Sequence, residues 1–223
     1  MILNYMNSCA MLQMSLEFQI RLPMKVLEGH RYETEIKLAM LLGLRRGEVL
    51  GLKYSDVDFA RHTIAIQRQV STIKDDTKTD NKSYYGLKCL KSESSNRVLS
   101  TSPEIEQLIK RKKAYNDLQA QKLSETYSSL DLICCDEVGN VLSPQTLYHA
   151  FKRILEKCGL PTNTRFHDLR HSYAVLCIDL NVPIKVLSLE LEHSSTAVTD
   201  SVYADSTRAK QELADLVSNA LII

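Results

Sequence analysis

Two basic side chains stand three residues apart at His167 and Arg170, a third follows at His193, and Tyr203 comes ten residues later. Arg45 and Lys91 add two cations from earlier in the chain. A phosphodiester carries its charge on two nonbridging oxygens, and attack at phosphorus concentrates more charge there. Forked guanidinium donors match that pair of oxygens, so two arginines aimed at one phosphate would stabilise the charge as it develops. A phenol becomes a nucleophile when a base takes its proton or cations lower its pKa, and histidine titrates near neutrality. A leaving alkoxide needs a proton, which a flexible lysine can deliver. These residue types together suit phosphoryl transfer through a tyrosyl ester. Taken singly, each has a plainer reading: one tyrosine among ten is usually a packing residue, and Arg45 and Arg46 beside Glu48 could be an ion-paired helix start. His30, His62 and His149 keep a structural reading.

The elements that must hold these groups follow from apolar periodicity. Glu33 to Leu42 reads as a mostly buried helix that Gly43 ends, and a short helix from Arg46 to Leu52 leaves Arg45 at a junction. Alternation over Thr63–Val70, with 84–87 and 96–99 behind it, predicts an antiparallel sheet of about three strands, with Lys91 near a turn. Ser102-Pro103 and Ser143-Pro144 each supply a cap and a first-turn proline, for helices to about Gln121 and to Cys158. Ile105, Leu108 and Ile109 should face inward and Lys110 to Lys113 outward. Residues 130–135 read as a short apolar strand. Further helical pattern covers 168–180, 183–191, 199–204 and 209–221. Nothing firm is assigned before Glu33.

The chain has 223 residues with a net charge of +1, and about a quarter of them are charged. That length can bury a real core in one domain. No apolar run approaches a membrane span and residues 1–27 lack the order of a signal peptide, so a cytoplasmic protein is expected. The six cysteines form no C-x-x-C pair, so reduced thiols are expected and no metal or other cofactor is indicated. From Arg61 to Ser100 eight Lys or Arg stand against four acids, a basic stretch suited either to an anion or to a solvated hairpin.

Several segments together resemble the tyrosine recombinases, specifically phage and conjugative-transposon integrases, over nearly all of residues 30–205. Gly43-Leu44-Arg45-Arg46-Gly47-Glu48 is similar to the family's first arginine box. Lys91-Ser92-Glu93-Ser94-Ser95-Asn96-Arg97 is similar to the K-T-x-S-S-x-R strand turn. His167-Asp168-Leu169-Arg170-His171 reproduces H-x-L-R-H, and Leu191-Glu192-His193-Ser194-Ser195 resembles L-G-H-S-S, with Glu192 where the family usually has glycine.

The resemblance implies an α+β fold: a mostly helical catalytic domain with a small antiparallel three-stranded sheet. It implies catalytic roles for Arg45, Lys91, His167, Arg170, His193 and Tyr203, with Glu48 in support, and a metal-free reaction through a 3′-phosphotyrosyl intermediate. The partner it implies is double-stranded DNA carrying recombination sites, bound by a DNA-dependent homo-oligomer of bacterial or phage origin. Residues 31–206 would form the catalytic domain and 207–223 a helical tail that docks on a neighbouring subunit or on its own domain. The family's separate N-terminal DNA-clamping domain is expected to be absent, since 44 residues precede Arg45. A catalytically impaired DNA-binding remnant that modulates a full-length recombinase is the rival expectation.

Overall fold

The computed structural model of the chain describes residues 24–74, 83–90, 96–191 and 201–222; the side chains at 74, 201–209 and 222 lie outside the description. Lys91, Glu192 and His193 therefore fall outside it, and Tyr203 is placed only by its backbone.

Helix α1 (Glu33–Leu42) lies at the centre, because its run of apolar residues leaves almost no polar face: Ile36, Leu38, Ala39, Met40, Leu41 and Leu42 are all buried. Burying side chains of this kind is worth about 1.5–3 kcal/mol each, which makes α1 the seat of the core. Gly43 ends the helix at φ 60° in the left-handed region, and a Cβ there would stand 2.6 Å from the Tyr173 ring. The chain then runs extended through Arg45 into the short helix α2 (Arg46–Gly51).

The expected sheet is present in a divided form. Strands β1 (Val57–Asp58), β2 (Thr63–Ile66) and β5 (Arg97–Ser100) form an antiparallel three-stranded sheet in the order β1-β2-β5. Strands β3 (Arg68–Lys74) and β4 (Ser83–Cys89) make a separate two-stranded antiparallel sheet. The apolar alternation from Thr63 to Val70 thus spans two strands that change partner at Gln67. Ile66 is paired with Arg97, Arg68 is paired with Cys89, and the Leu90 N–H donates to the Gln67 carbonyl at 3.2 Å between them. Helix α2 lies directly on the β3 backbone. A Cβ on Gly47 would meet the Val70 carbonyl at 2.7 Å, and one on Gly51 the Arg68 carbonyl at 2.8 Å.

Both Ser-Pro helix starts are where the sequence puts them. Helix α3 (Pro103–Leu123) is capped by Ser102, whose Oγ accepts from the Ile105 N–H, and α4 (Pro144–Lys157) by Ser143, whose Oγ accepts from the Gln145 N–H. Leu147, Phe151, Ile154 and Leu155 form the buried stripe of α4. One residue on α3 departs from expectation: Lys112 does not reach solvent but is buried, its Nζ 2.8 Å from Oε1 of the fully buried Glu35 on α1. Residues 130–135 are not a strand either. They make only isolated bridges, Lys53 with Leu132 and Cys135 with Val141, and Asp131 at φ 60° bends the segment so that its carbonyl accepts from the Tyr54 N–H.

Helices α5 (Asp168–Asp179) and α6 (Ile184–Glu190) follow, and α7 (Ser201–Ile222) is one continuous helix where two helical patches were expected. Its described half packs on the chain's own domain. Leu213, Val217 and Leu221 are buried, Ser218 Oγ lies 2.6 Å from Ser102 Oγ, and Gln211 Nε2 donates to the Thr101 carbonyl; Leu216 stays exposed. No helix among the described residues is long and apolar enough to cross a membrane.

Candidate active site

The turn at Gly43 decides where the first arginine box points. With Leu44 buried against the core, Arg45 takes an extended backbone at the N-cap of α2, φ −68° and ψ 147°. Glu48, at the third position of α2, folds back over the helix start, and its Oε2 accepts from the Arg45 N–H at 3.0 Å. Its Oε1 lies 2.7 Å from Arg45 Nη1. The arginine side chain remains 40% exposed while the carboxylate is fully buried, so the guanidinium is held at its base and open to solvent at its edge.

The second arginine reaches the same carboxylate from α5. Arg170 is buried, its Nη1 donating to the Gly43 carbonyl at 2.9 Å and standing 4.0 Å from Glu48 Oε2, while its Nη2 donates to the Leu191 carbonyl. One guanidinium thus ties the end of α1, the end of α6 and the arginine box together. His167 is exposed at the N-cap of α5. Partial burial lowers its pKa, and the charges of Arg170 and then Arg45 lower it further, against a smaller opposing pull from Asp168. At neutral pH the imidazole is accordingly the neutral, proton-accepting form.

Arg45, Glu48, Arg170 and His167 are therefore brought together from separate elements, as the residue types required. A groove of about 740 Å³ runs beside His167, between Arg46 and Gly47, residues 69–72 of β3, Pro144 and Tyr148 of α4, and Arg165. Exposed Arg165 is braced by Asp168, with Nη2 to Oδ1 at 2.9 Å. Lys91 and His193 lie outside the described residues. Tyr203 stands in the first turn of α7, with its side chain outside the description.

Two charged residues here were not singled out in the sequence. Arg97, at the start of β5, places Nη2 2.8 Å from Glu48 Oε2 and Nη1 3.4 Å from Oε1, with its side chain only 6% exposed. It closes the K-T-x-S-S-x-R segment, and that position was the available signal. Burial would raise the Glu48 carboxyl pKa, yet the hydrogen bonds and charge of Arg97, followed by the bonds from Arg45, outweigh it and hold the group below the usual carboxylate range. Glu190, in the last turn of α6, is buried, and its Oε1 has no hydrogen-bond partner among the described residues. Burial pushes its carboxyl up to about 7 against the opposing charges of Lys210 and Arg97.

The helical domain, its small antiparallel sheets and the three arginines around one buried carboxylate fit a tyrosine recombinase catalytic domain. Residues 16–210 match the phage integrase family, and the chain belongs to that family. Among its relatives, the tyrosine recombinase XerC-like protein of Caldanaerobacter subterraneus subsp. tengcongensis is 28% identical over 201 residues, covering 86% of this chain and 51% of that protein. The integrase of Staphylococcus phage L54a is 24% identical over 172 residues, covering 77% of this chain and 47% of its own length. The fold is shared with the Tn1549 transposon integrase solved in complex with transposon right end DNA (TM-score 0.62, 19% identity, 83% of this chain and 62% of that one). It is shared also with the XerH site-specific recombinase bound to palindromic difH substrate (TM-score 0.54, 22% identity, 91% and 51%). The chain spans about half the length of the curated relatives it matches.

Proposed function

We propose that this chain performs site-specific DNA recombination by strand cleavage and rejoining, with Tyr203 as the nucleophile. The Tyr203 hydroxyl oxygen bonds to a DNA phosphorus, the bond from phosphorus to the 5′ oxygen breaks, and a 3′-phosphotyrosyl ester forms. The phenol proton passes to His167, and Lys91 protonates the departing 5′ oxygen. Arg45, Arg170 and His193 take the nonbridging oxygens, and Glu48 holds Arg45 in place. Attack by another strand's 5′-hydroxyl reverses the step and exchanges strands. Because the ester conserves the bond energy, the reaction needs no nucleotide cofactor. The substrate is double-stranded DNA in the bacterial cytoplasm, and the working form is a DNA-dependent homo-oligomer.

The observation that carries this reading is the convergence of Arg45 and Arg170 on Glu48, with a neutral imidazole at His167 beside them. A buried carboxylate that organises guanidinium groups, one of them partly open to solvent at Arg45, is suited to a phosphate, whose charge is what forked donors recognise. Nicked duplexes whose cleaved end diffuses away trap the covalent adduct. Wild type should form one with cognate attachment DNA, and Tyr203→Phe should form none. If wild type traps nothing, or Tyr203→Phe traps as much, the catalytic reading is wrong; DNA binding without an adduct points to the impaired remnant instead.

A further inference from the structure

Arg97 lies outside the proposed catalytic set, yet like Arg45 it bonds to both oxygens of Glu48. Each carboxylate oxygen takes one bond from each arginine. Oε2 receives the Arg45 N–H at 3.0 Å and Arg97 Nη2 at 2.8 Å, and Oε1 receives Arg45 Nη1 at 2.7 Å and Arg97 Nη1 at 3.4 Å. Arg97 begins β5, opposite Ile66 of β2, and its side chain spans from the three-stranded sheet to α2. It is enclosed, with its side chain only 6% exposed against 40% for Arg45, so Arg45 is the one of the pair that can reach a ligand.

We infer that Arg97 is a positioning residue for the phosphate-binding arginines, acting through Glu48; this rests on the function proposed above. A carboxylate held by one arginine can swing about its terminal bond, and Glu48 has Arg170 only 4.0 Å from Oε2 to swing toward. The paired donors of Arg97 fix the carboxylate plane, and the plane fixes where Arg45 points. A lysine at this place would offer a single point of contact and could not define that plane. Strand β5 is thereby tied to the arginine box through one side chain.

The charged groups around Glu48 are Arg45 on its own helix, Arg97 from β5 and Arg170 from α5. Glu190 of α6 and Lys210 of α7 stand behind Arg97. Removing Arg97 takes away the interactions that do most to hold the Glu48 carboxyl below its ordinary range, so its titration should move up.

The test uses the full chain with Arg97→Lys, Arg97→Gln, Glu48→Gln and the Arg97→Gln/Glu48→Gln double variant. Cleavage is followed on nicked suicide duplexes at saturating protein, DNA affinity by anisotropy, and Glu48 by carbon-13 NMR of its carboxyl. Arg97→Lys should bind DNA nearly as wild type does, cleave on the order of a hundredfold more slowly, and titrate Glu48 at higher pH. The double variant should cleave no more slowly than Glu48→Gln, because both changes act on one contact. Wild-type cleavage by Arg97→Lys, slowed cleavage with an unmoved Glu48 titration, or multiplicative losses in the double variant would each overturn the inference. If the Arg97 single variants unfold, the comparison of the double variant with Glu48→Gln decides it. If wild type forms no adduct, the functional reading fails, and the Glu48 titration alone decides whether Arg97 governs that carboxylate.

Discussion

Glu190→Gln should remove a pH-dependent penalty from the fold. The residue is 4% exposed in the last turn of α6, one carboxyl oxygen has no partner among the described residues, and its described neighbours include Tyr173 and Cys177 of α5, Lys210 of α7 and Arg97 of β5. Burial raises its pKa from 4.5 to about 7, with Lys210 and Arg97 pulling the other way. The folded chain therefore holds this proton more tightly than the unfolded chain does. Its contribution is fully present below about 4.5, declines as the pH rises, and is gone above about 7. At 1.36 kcal/mol for each pKa unit, that span corresponds to about 3 kcal/mol of stability lost across the window. Glutamine does not titrate, so the loss disappears while any fixed cost of the amide stays constant. Urea denaturation of both proteins at about pH 5 and about pH 8.5 measures most of it: the variant should gain about 2.5 kcal/mol on wild type between the two. Taking this difference cancels the histidines and other groups common to both chains. If the two stabilities keep a constant offset from one pH to the other, Glu190 does not carry the proton assigned to it, and the packing of α6 between α5 and α7 has been misread.

Gly43→Ala should destabilise the chain by about 2–4 kcal/mol in urea denaturation, since it combines a left-handed backbone with a Cβ forced into the Tyr173 ring. An unchanged midpoint would mean that the end of α1 can reposition without disturbing α5. In adduct formation, the wild-type rate should fall with decreasing pH through a value below 6.5, because partial burial and then the charges of Arg170 and Arg45 disfavour the His167 imidazolium, and His167→Gln should abolish that limb. A limb centred above 6.5 that depends on His167 would contradict the assignment.

What could be read from residues in order was mostly local. Helix α1 and its glycine stop, the two Ser-Pro starts and the stripe on α4 are set by patterns within one or two turns, and the structure has them with the expected faces. The single sheet was expected because alternation identifies a strand and says nothing about its partner. The change of pairing at Gln67 depends on where β4 and β5 lie, and neither is encoded in residues 63–70. Lys112 shows the same limit for charge. Its place in a basic run suggested solvent, and only the buried Glu35 of α1, 77 residues away, makes burial tolerable by pairing with it.

The candidate site divides along the same line. Arg45, Glu48, His167 and Arg170 were legible because each falls in a short motif whose spacing is itself the signal, and the fold supplies the convergence those motifs presuppose. Arg97 was present in one of the quoted motifs and still carried no role, because its meaning lies in a contact 49 residues away across two elements. Glu190 had no motif at all, and a glutamate near the end of an amphipathic helix ordinarily faces water. Only the placement of α6 against α5 and α7 turns it into a buried acid. For both residues the controlling fact is which charge stands opposite, and that is a property of tertiary packing. Arg97→Gln and Glu190→Gln therefore probe what packing adds to a site whose chemical groups the motifs already name.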